Sequence, residues 1–327
     1  MKKIRILAFL LLALMPLGLC ACSNDSAVSN SKNEINIAAL KGPTGLGLLK
    51  LMEDSSASNA KTNNNITLYN DPSEVMAKIY NKDVDIAALP TNMAANLYQK
   101  SNHNIKMLSV NALGSLAIVS KGEVIDSISD LKGKTIYMAG QGSTAEYTLK
   151  YILETNNLSE NDVSIEYKSE HTEIASLLLS DQISVALLPE PFVTQVTMKD
   201  SSINKSLDLN YEWGKNSHQK DSLTMGCLVA TNEFIENNKN TINNFLEDYK
   251  CSTEFVNSNI EESAKLSEKY GIMRYDAAKN AIPNCKIVYI DSLDMANRSS
   301  EFFNVMYDYN PKSVGGTLPD EGFYYKK

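Results

Sequence analysis

Arginine is nearly missing from this chain: it occurs only as Arg5, Arg274 and Arg298. With 31 Lys+Arg against 39 Asp+Glu and a formal charge of -8, the 327 residues offer no basic surface to neutralise phosphates. Wholesale nucleic-acid binding is thereby excluded. Histidine is scarce as well. His103, His171 and His218 each sit in a polar or helix-start stretch and read as solvated surface residues without a catalytic partner. The five cysteines show no CxxC or Cys/His spacing, so zinc or iron–sulfur chemistry has no support. HExxH, GxSxG, GxxxxGK[ST] and GxGxxG are all absent, which leaves no motif for a metalloprotease, a serine hydrolase, a phosphate loop or a dinucleotide fold. No cofactor is expected, and an enzyme is not the expected reading. Disorder of the bulk is excluded by 43% hydrophobic and 8% aromatic residues. The length favours two domains over one.

What is present begins with a basic start, Lys2-Lys3-Ile4-Arg5, followed by an apolar stretch over residues 6–19. Leu19-Cys20-Ala21-Cys22 then reads as an export signal ending in a lipobox, with the small Ala21 immediately before the acceptor Cys22. Cys20 fits less well, because Leu19 would stand at the small position. Residues 1–21 are read as the signal, and 22–33, rich in serine, asparagine and lysine, as a flexible lipidated tether. Removing the leader deletes three positive charges and no negative ones, taking the formal charge from -8 to -11. The expected location is the extracytoplasmic face of a bacterial cell membrane, held there by the lipid. Cys227, Cys251 and Cys285 remain in the folded part and read as buried free thiols.

The folded part alternates strand, short turn and helix. Strands are predicted at 34–40, 66–69, 85–89, 105–111 and 115–119, with helices at 45–52, at 72–80 after the capping candidate Asp71, and following Pro90-Thr91-Asn92. The pattern restarts with strands at 135–139, 163–167 and 184–188. Helices at 145–154, 171–179 and 192–199 accompany them. From 223 an apolar segment leads into mostly helical sequence over 233–257, 261–270 and 275–281, with Asn232 as a cap. The aromatic-rich tail, 302–325, is expected to wrap over a finished surface. Such units predict mixed sheets covered by helices on both faces.

The order of short motifs carries a resemblance. Lys41-Gly42-Pro43-Thr44-Gly45 ends the first strand; Asp85-Ile86-Ala87-Ala88-Leu89, Leu131-Lys132-Gly133-Lys134, Gly140-Gln141-Gly142-Ser143-Thr144 and Val185-Ala186-Leu187-Leu188-Pro189-Glu190-Pro191 follow. Together these resemble the extracellular substrate-binding proteins of ATP-driven importers. The branch is the one that includes nitrate-, sulfonate- and taurine-binding proteins and carriers of thiamine-pyrimidine precursors. The resemblance implies an α/β, two-lobed periplasmic-binding-protein-like fold of type II, with a ligand cleft between lobes. It places lobe 1 at 34–114 plus 226–327 and lobe 2 at 115–225. It also implies a monomeric receptor that captures a small molecule and delivers it to permease and ATPase subunits. A receptor that feeds a sensor instead of an importer stays open.

Candidate ligand residues sit where predicted strands end, since ligands gather at the carboxyl ends of open sheets. Lys41, Gly42, Pro43 and Thr44 form the first turn. There the glycines permit close backbone approach, and Thr44 either caps a helix or donates to a ligand. Gln141, Gly142, Ser143 and Thr144 offer the same chemistry from the opposite lobe. Asn92 and Asn111 can donate and accept around a polar ring. Glu190 is either an acceptor for an amino or ring N–H or an exposed helix-start carboxylate. Trp213 either stacks on an aromatic ligand or packs. Neither cleft-forming turn carries an arginine to grip an oxyanion in a bidentate fork. The reading therefore leans to an organic, heteroaromatic solute over a sulfonate or nitrate.

Overall fold

The computed structural model describes residues 34–159, 161–216 and 223–327. Cys20, Cys22, the tether and His218 lie outside them. In chain order the elements begin β1 (Ile35–Leu40), α1 (Pro43–Leu46), α2 (Leu49–Ser56), β2 (Asn64–Tyr69), α3 (Pro72–Tyr80), β3 (Ile86–Pro90), α4 (Thr91–Lys100) and β4 (Ile105–Leu113). They continue with β5 (Leu116–Lys121), β6 (Thr135–Ala139), α5 (Thr144–Thr155), β7 (Ser164–Lys168), α6 (His171–Leu179), β8 (Val185–Pro189), α7 (Phe192–Lys199), β9 (Ile203–Asp208) and α8 (Leu209–Asn216). The last third holds β10 (Thr224–Thr231), α9 (Asn232–Asn237), α10 (Lys239–Ser258), α11 (Ile260–Lys269), α12 (Tyr275–Ala281), β11 (Ile287–Ile290) and α13 (Ser292–Tyr309).

Two mixed sheets result. The first runs β11-β4-β10-β3-β1-β2 and the second β7-β6-β8-β5-β9. Within them β1, β2 and β3 are parallel, as are β6, β7 and β8. The central strands β3 and β8 are apolar and buried almost throughout, as strands covered on both faces must be. The chain leaves the first sheet through Gly114 and Ser115, and β10 brings it back antiparallel between β3 and β4. A methyl group on Gly114 would lie 2.6 Å from Asn210 Oδ1 and 2.8 Å from Leu223 Cδ2, so the two crossings pass in close contact.

One apolar cluster runs through both sheets. It takes Val110 and Leu113 from β4, Leu116 and Ile118 from β5, Leu149 and Ile152 from α5, Trp213 from α8 and Phe302 from α13. A second cluster lies under α10, with Phe245 and Tyr249, and a third under α6 and α7.

Several local expectations are corrected. Asp71 does cap α3, accepting from Ser73 N at 2.7 Å, but the cap of α9 is Thr231, whose hydroxyl accepts from Phe234 N at 3.2 Å. The long helix expected over 233–257 breaks at Asn238 into α9 and α10. Cys227 and Cys285 are buried, whereas Cys251 is exposed, since α10 turns that face to solvent. The tail does more than wrap: Phe302, Phe303 and Phe323 are fully buried. Its end is stitched down by Tyr325 N to Met107 O at 2.9 Å and Lys106 Nζ to Gly322 O at 2.7 Å.

Candidate functional site

The carboxyl ends of the parallel strands in the two sheets face one another. Asn92, at the start of α4, donates from Nδ2 to Gly142 O at 3.0 Å and accepts at Oδ1 from Thr144 Oγ1 at 2.9 Å. Asn284, from the first-sheet side, donates to Thr194 Oγ1 on α7 at 3.3 Å. On the second-sheet side these bridges end in the segments that follow β6 and β8.

On the first-sheet side Lys41 is exposed and Pro43 half-buried. Gly42 is buried with φ +142°, and an added Cβ would meet nothing within 4 Å. Its glycine serves the backbone conformation, not close approach. Gly45 is the tight position, where a Cβ would fall 2.5 Å from Leu40 O. Thr44 neither caps α1 nor presents a free hydroxyl proton; its Oγ1 donates back to Leu40 O at 3.2 Å. Asn111 is fully buried on β4, and neither atom of its amide has a hydrogen-bond partner. Tyr249, also buried, has its hydroxyl beside that amide.

On the second-sheet side Gln141 and Gly142 are exposed and Ser143 is half-buried with an enclosed, unpartnered Oγ. Positive φ at Gly140 (+82°) and Gly142 (+76°) makes this tight turn possible. The amide that would greet an anion is already used: Gly142 N donates to Glu146 Oε2 at 2.5 Å. Glu146 also accepts from Tyr167 at 2.8 Å and pairs with Lys150 at 3.0 Å. Burial pushes its carboxyl up, but the bonds from Gly142, Lys150 and Tyr167 outweigh it and hold the group below the usual range. Thr144 is buried and engaged with Asn92.

Glu190 is only 5% exposed, which removes the surface-carboxylate alternative. One oxygen accepts from Thr194 N at 3.1 Å, and the Thr194 hydroxyl bonds the carboxylate as well. Burial raises its pKa, only partly offset by Thr194. Trp213 is fully buried against Tyr151 and Phe302, with ring centroids at 5.0 and 6.0 Å, and so packs. The two arginines among the described residues are engaged elsewhere: Arg298 pairs with Asp294 along α13, and Arg274 is exposed ahead of α12.

His171 and Phe192 also stand at helix starts that follow strands of the second sheet. His171 is half-buried, not a solvated surface residue, and its ring lies 5.2 Å from that of Phe192 at 39°. Burial pushes the imidazole down to about 4. The signal was positional: His171 follows β7 as Gly142 follows β6 and Glu190 follows β8.

Residues 55–281 match the profile of a family described as ABC transporter, phosphonate, periplasmic substrate-binding protein. Among solved structures the chain is similar to an ABC transporter from Parabacteroides distasonis, with 26% identity over 90% of this chain and 99% of that one and a TM-score of 0.75. It is also similar to the periplasmic aliphatic sulphonate binding protein SsuA from Escherichia coli, at 13% identity, 90% and 93% coverage and TM-score 0.73. The periplasmic nitrate-binding protein NrtA from Synechocystis PCC 6803 gives 11% identity, 86% and 84% coverage and TM-score 0.64. The last two likenesses are of fold alone. No curated protein matches the chain.

Proposed function

The chain belongs to the family of ABC-transporter phosphonate periplasmic substrate-binding proteins, which makes it the solute-binding component of such a transporter; from that premise we propose that its solute is a small organic molecule presenting N–H groups, gripped between the two rims. Glu190 carries this reading. A buried carboxylate has about four acceptor sites, and the bonds from Thr194 leave some of them for a donor on the solute. The neighbouring Gly142 amide is taken by Glu146, and neither cleft-forming turn supplies a guanidinium. A rim of this kind suits an amine or ring N–H better than a bare oxyanion.

The further candidates are Lys41, Gly42 and Pro43 on one rim and Gln141, Gly142 and Ser143 on the other, with Asn111 and Thr44 beneath. Asn92 and Thr144 act in the same site by tying the rims together. The two sheets support lobes at 34–114 plus 226–327 and at 115–225. Solute bridging them lowers the free energy of the closed form relative to the open one, and the closed form is what the permease receives. Cys22 as the lipid anchor, and a monomeric receptor, complete the proposal. A second reading, an anionic solute, is favoured by the phosphonate description of the family and by the exposed Lys41.

Native mass spectrometry of the chain expressed from residue 23, before and after denaturation and refolding, separates the two. Release of a nitrogen-bearing organic molecule supports the Glu190 reading. Release of a phosphonate or sulfonate without an N–H group replaces it with the second.

A further inference from the structure

We infer that His171 and Phe192 form a selective wall of the cleft, one that accepts a planar, π-bearing solute and offers it a hydrogen bond from the His171 imidazole. The inference rests on the cleft reading above and goes further by assigning the solute's shape. Its first support is placement. In the second sheet Ala139 of β6 pairs with Lys168 of β7, so the turn leading into His171 stands level with the Gly140–Gly142 turn. Phe192 opens α7 two residues after Glu190. The two rings therefore share the rim that faces the first sheet, beside the Thr194–Asn284 bridge.

The second support is the state of the ring. A purely structural histidine has its enclosed nitrogen bonded, since buried polar groups are almost always paired. Here Nδ1 is sealed from solvent and has no partner. Yet the residue as a whole is half-exposed. A residue that keeps some surface while its Nδ1 is sealed stands at the margin of packed structure, not on a convex surface. Desolvation keeps it neutral at physiological pH, with its pKa pushed down to about 4. A neutral imidazole adds no positive charge for an oxyanion, but it donates or accepts a hydrogen bond according to its tautomer.

The third support is the company. Phe192 is half-buried at the margin of the apolar cluster that includes Tyr137, Ile174 and Val193, and tilted against His171. An aliphatic residue would fill that margin equally well. Two tilted rings at a cleft instead provide an edge and a face for a third ring at the usual aromatic spacing.

The test uses full-length, detergent-solubilised protein and five named probes by thermal shift and calorimetry at pH 7. Cytosine, adenine and nicotinamide are the planar set; taurine and methylphosphonate are the non-planar anions. At least one planar probe is expected to bind. Its affinity is expected to fall roughly tenfold or more in His171→Ala and in Phe192→Ala, and to stay within about threefold in Phe192→Tyr. Binding by taurine or methylphosphonate alone, unchanged in His171→Ala, overturns the wall and leaves the receptor function standing. So does failure of all three planar probes. Loss of binding in Glu190→Gln with none in His171→Ala keeps the N–H reading and removes this one. Should the alanine variants unfold, the 15N ring resonances of His171 in wild-type protein decide. They shift on addition of the planar probe that binds, and unmoved resonances overturn the inference.

Discussion

A methyl group on Gly226 would sit 2.7 Å from Asn111 Oδ1 and 2.9 Å from Thr44 Cγ2. This strand residue lacks a side chain because the space above it is filled by two groups of the candidate site. Gly226→Ala is expected to cost about 1–3 kcal/mol by overpacking, read as a lowered denaturant midpoint. Much of that loss should return in the double variant with Asn111→Ala; strict additivity would show that the two positions do not press on each other. Glu190 is the other residue whose chemistry is set by its surroundings. Its folded-state pKa is raised, so its ionisation opposes folding: the penalty is absent below the ordinary glutamate range and full once pH exceeds the raised value. Glu190→Gln should therefore stabilise the ligand-free chain at pH 7, with the gap to wild type closing as pH falls toward about 4. The same variant should weaken binding of an N–H solute by roughly 10- to 100-fold, the worth of a hydrogen bond to a charged group. A pH-independent stability gap would contradict the burial argument.

Helices α8 and α13 show what the sequence conceals. The stretch around Trp213 is polar enough to pass for a loop, yet it forms α8, whose tryptophan joins the two sheets' core through Phe302. Just before it, β9 was missed because its buried positions, Ile203 and Leu207, are separated by exposed or half-exposed Asn204, Lys205 and Ser206. The central strands β3 and β8 were legible because their apolar runs end at prolines that also mark the site. The turns following β1 and β6 were legible from their glycines, Gly42, Gly140 and Gly142, which all have positive φ. His171 was not, because one histidine after an exposed Glu170 carries no periodic signal and its burial comes from α7, an element twenty residues on. Thr44 reads from sequence as a helix cap or a donor to ligand, but its hydroxyl donates to the chain's own Leu40 carbonyl. At this scale Trp213→Ala should cost about 3–5 kcal/mol. Because the indole is sealed among Tyr151 and Phe302, its emission should barely respond to solute; a large shift would place the ring at a moving surface.

Across the whole molecule the contacts between the two sheet-bearing halves are unequal. On the side of α5, α8 and α13 they comprise a continuous apolar core and the fully bonded Asn92. On the side of α7 and α12 a single-ended 3.3 Å bond runs from Asn284 to Thr194. Opening should therefore occur at α7 and α12, with the other side as pivot. Spin labels on the exposed Met198 and Asn280 should report a distance that changes with solute, while labels on Glu154 and Asp308 report one that does not. Equal changes at both pairs would mean a different axis. Asn92→Ala should loosen the pivot and broaden the second distance.

The pairing of Tyr324 and Tyr325 with Met107, and of β10 between β3 and β4, also bears on how the protein is made. The second sheet is one unbroken stretch of chain and can assemble as soon as it has emerged. The first sheet lacks an inner strand until residue 231 has appeared, and its stitches to Met107 until residues 324 and 325 have. During export the half that starts first is thus the half that finishes last. A chain stalled short of its C-terminus would present a completed second sheet beside an unfinished first one, the state in which quality-control proteases would find it.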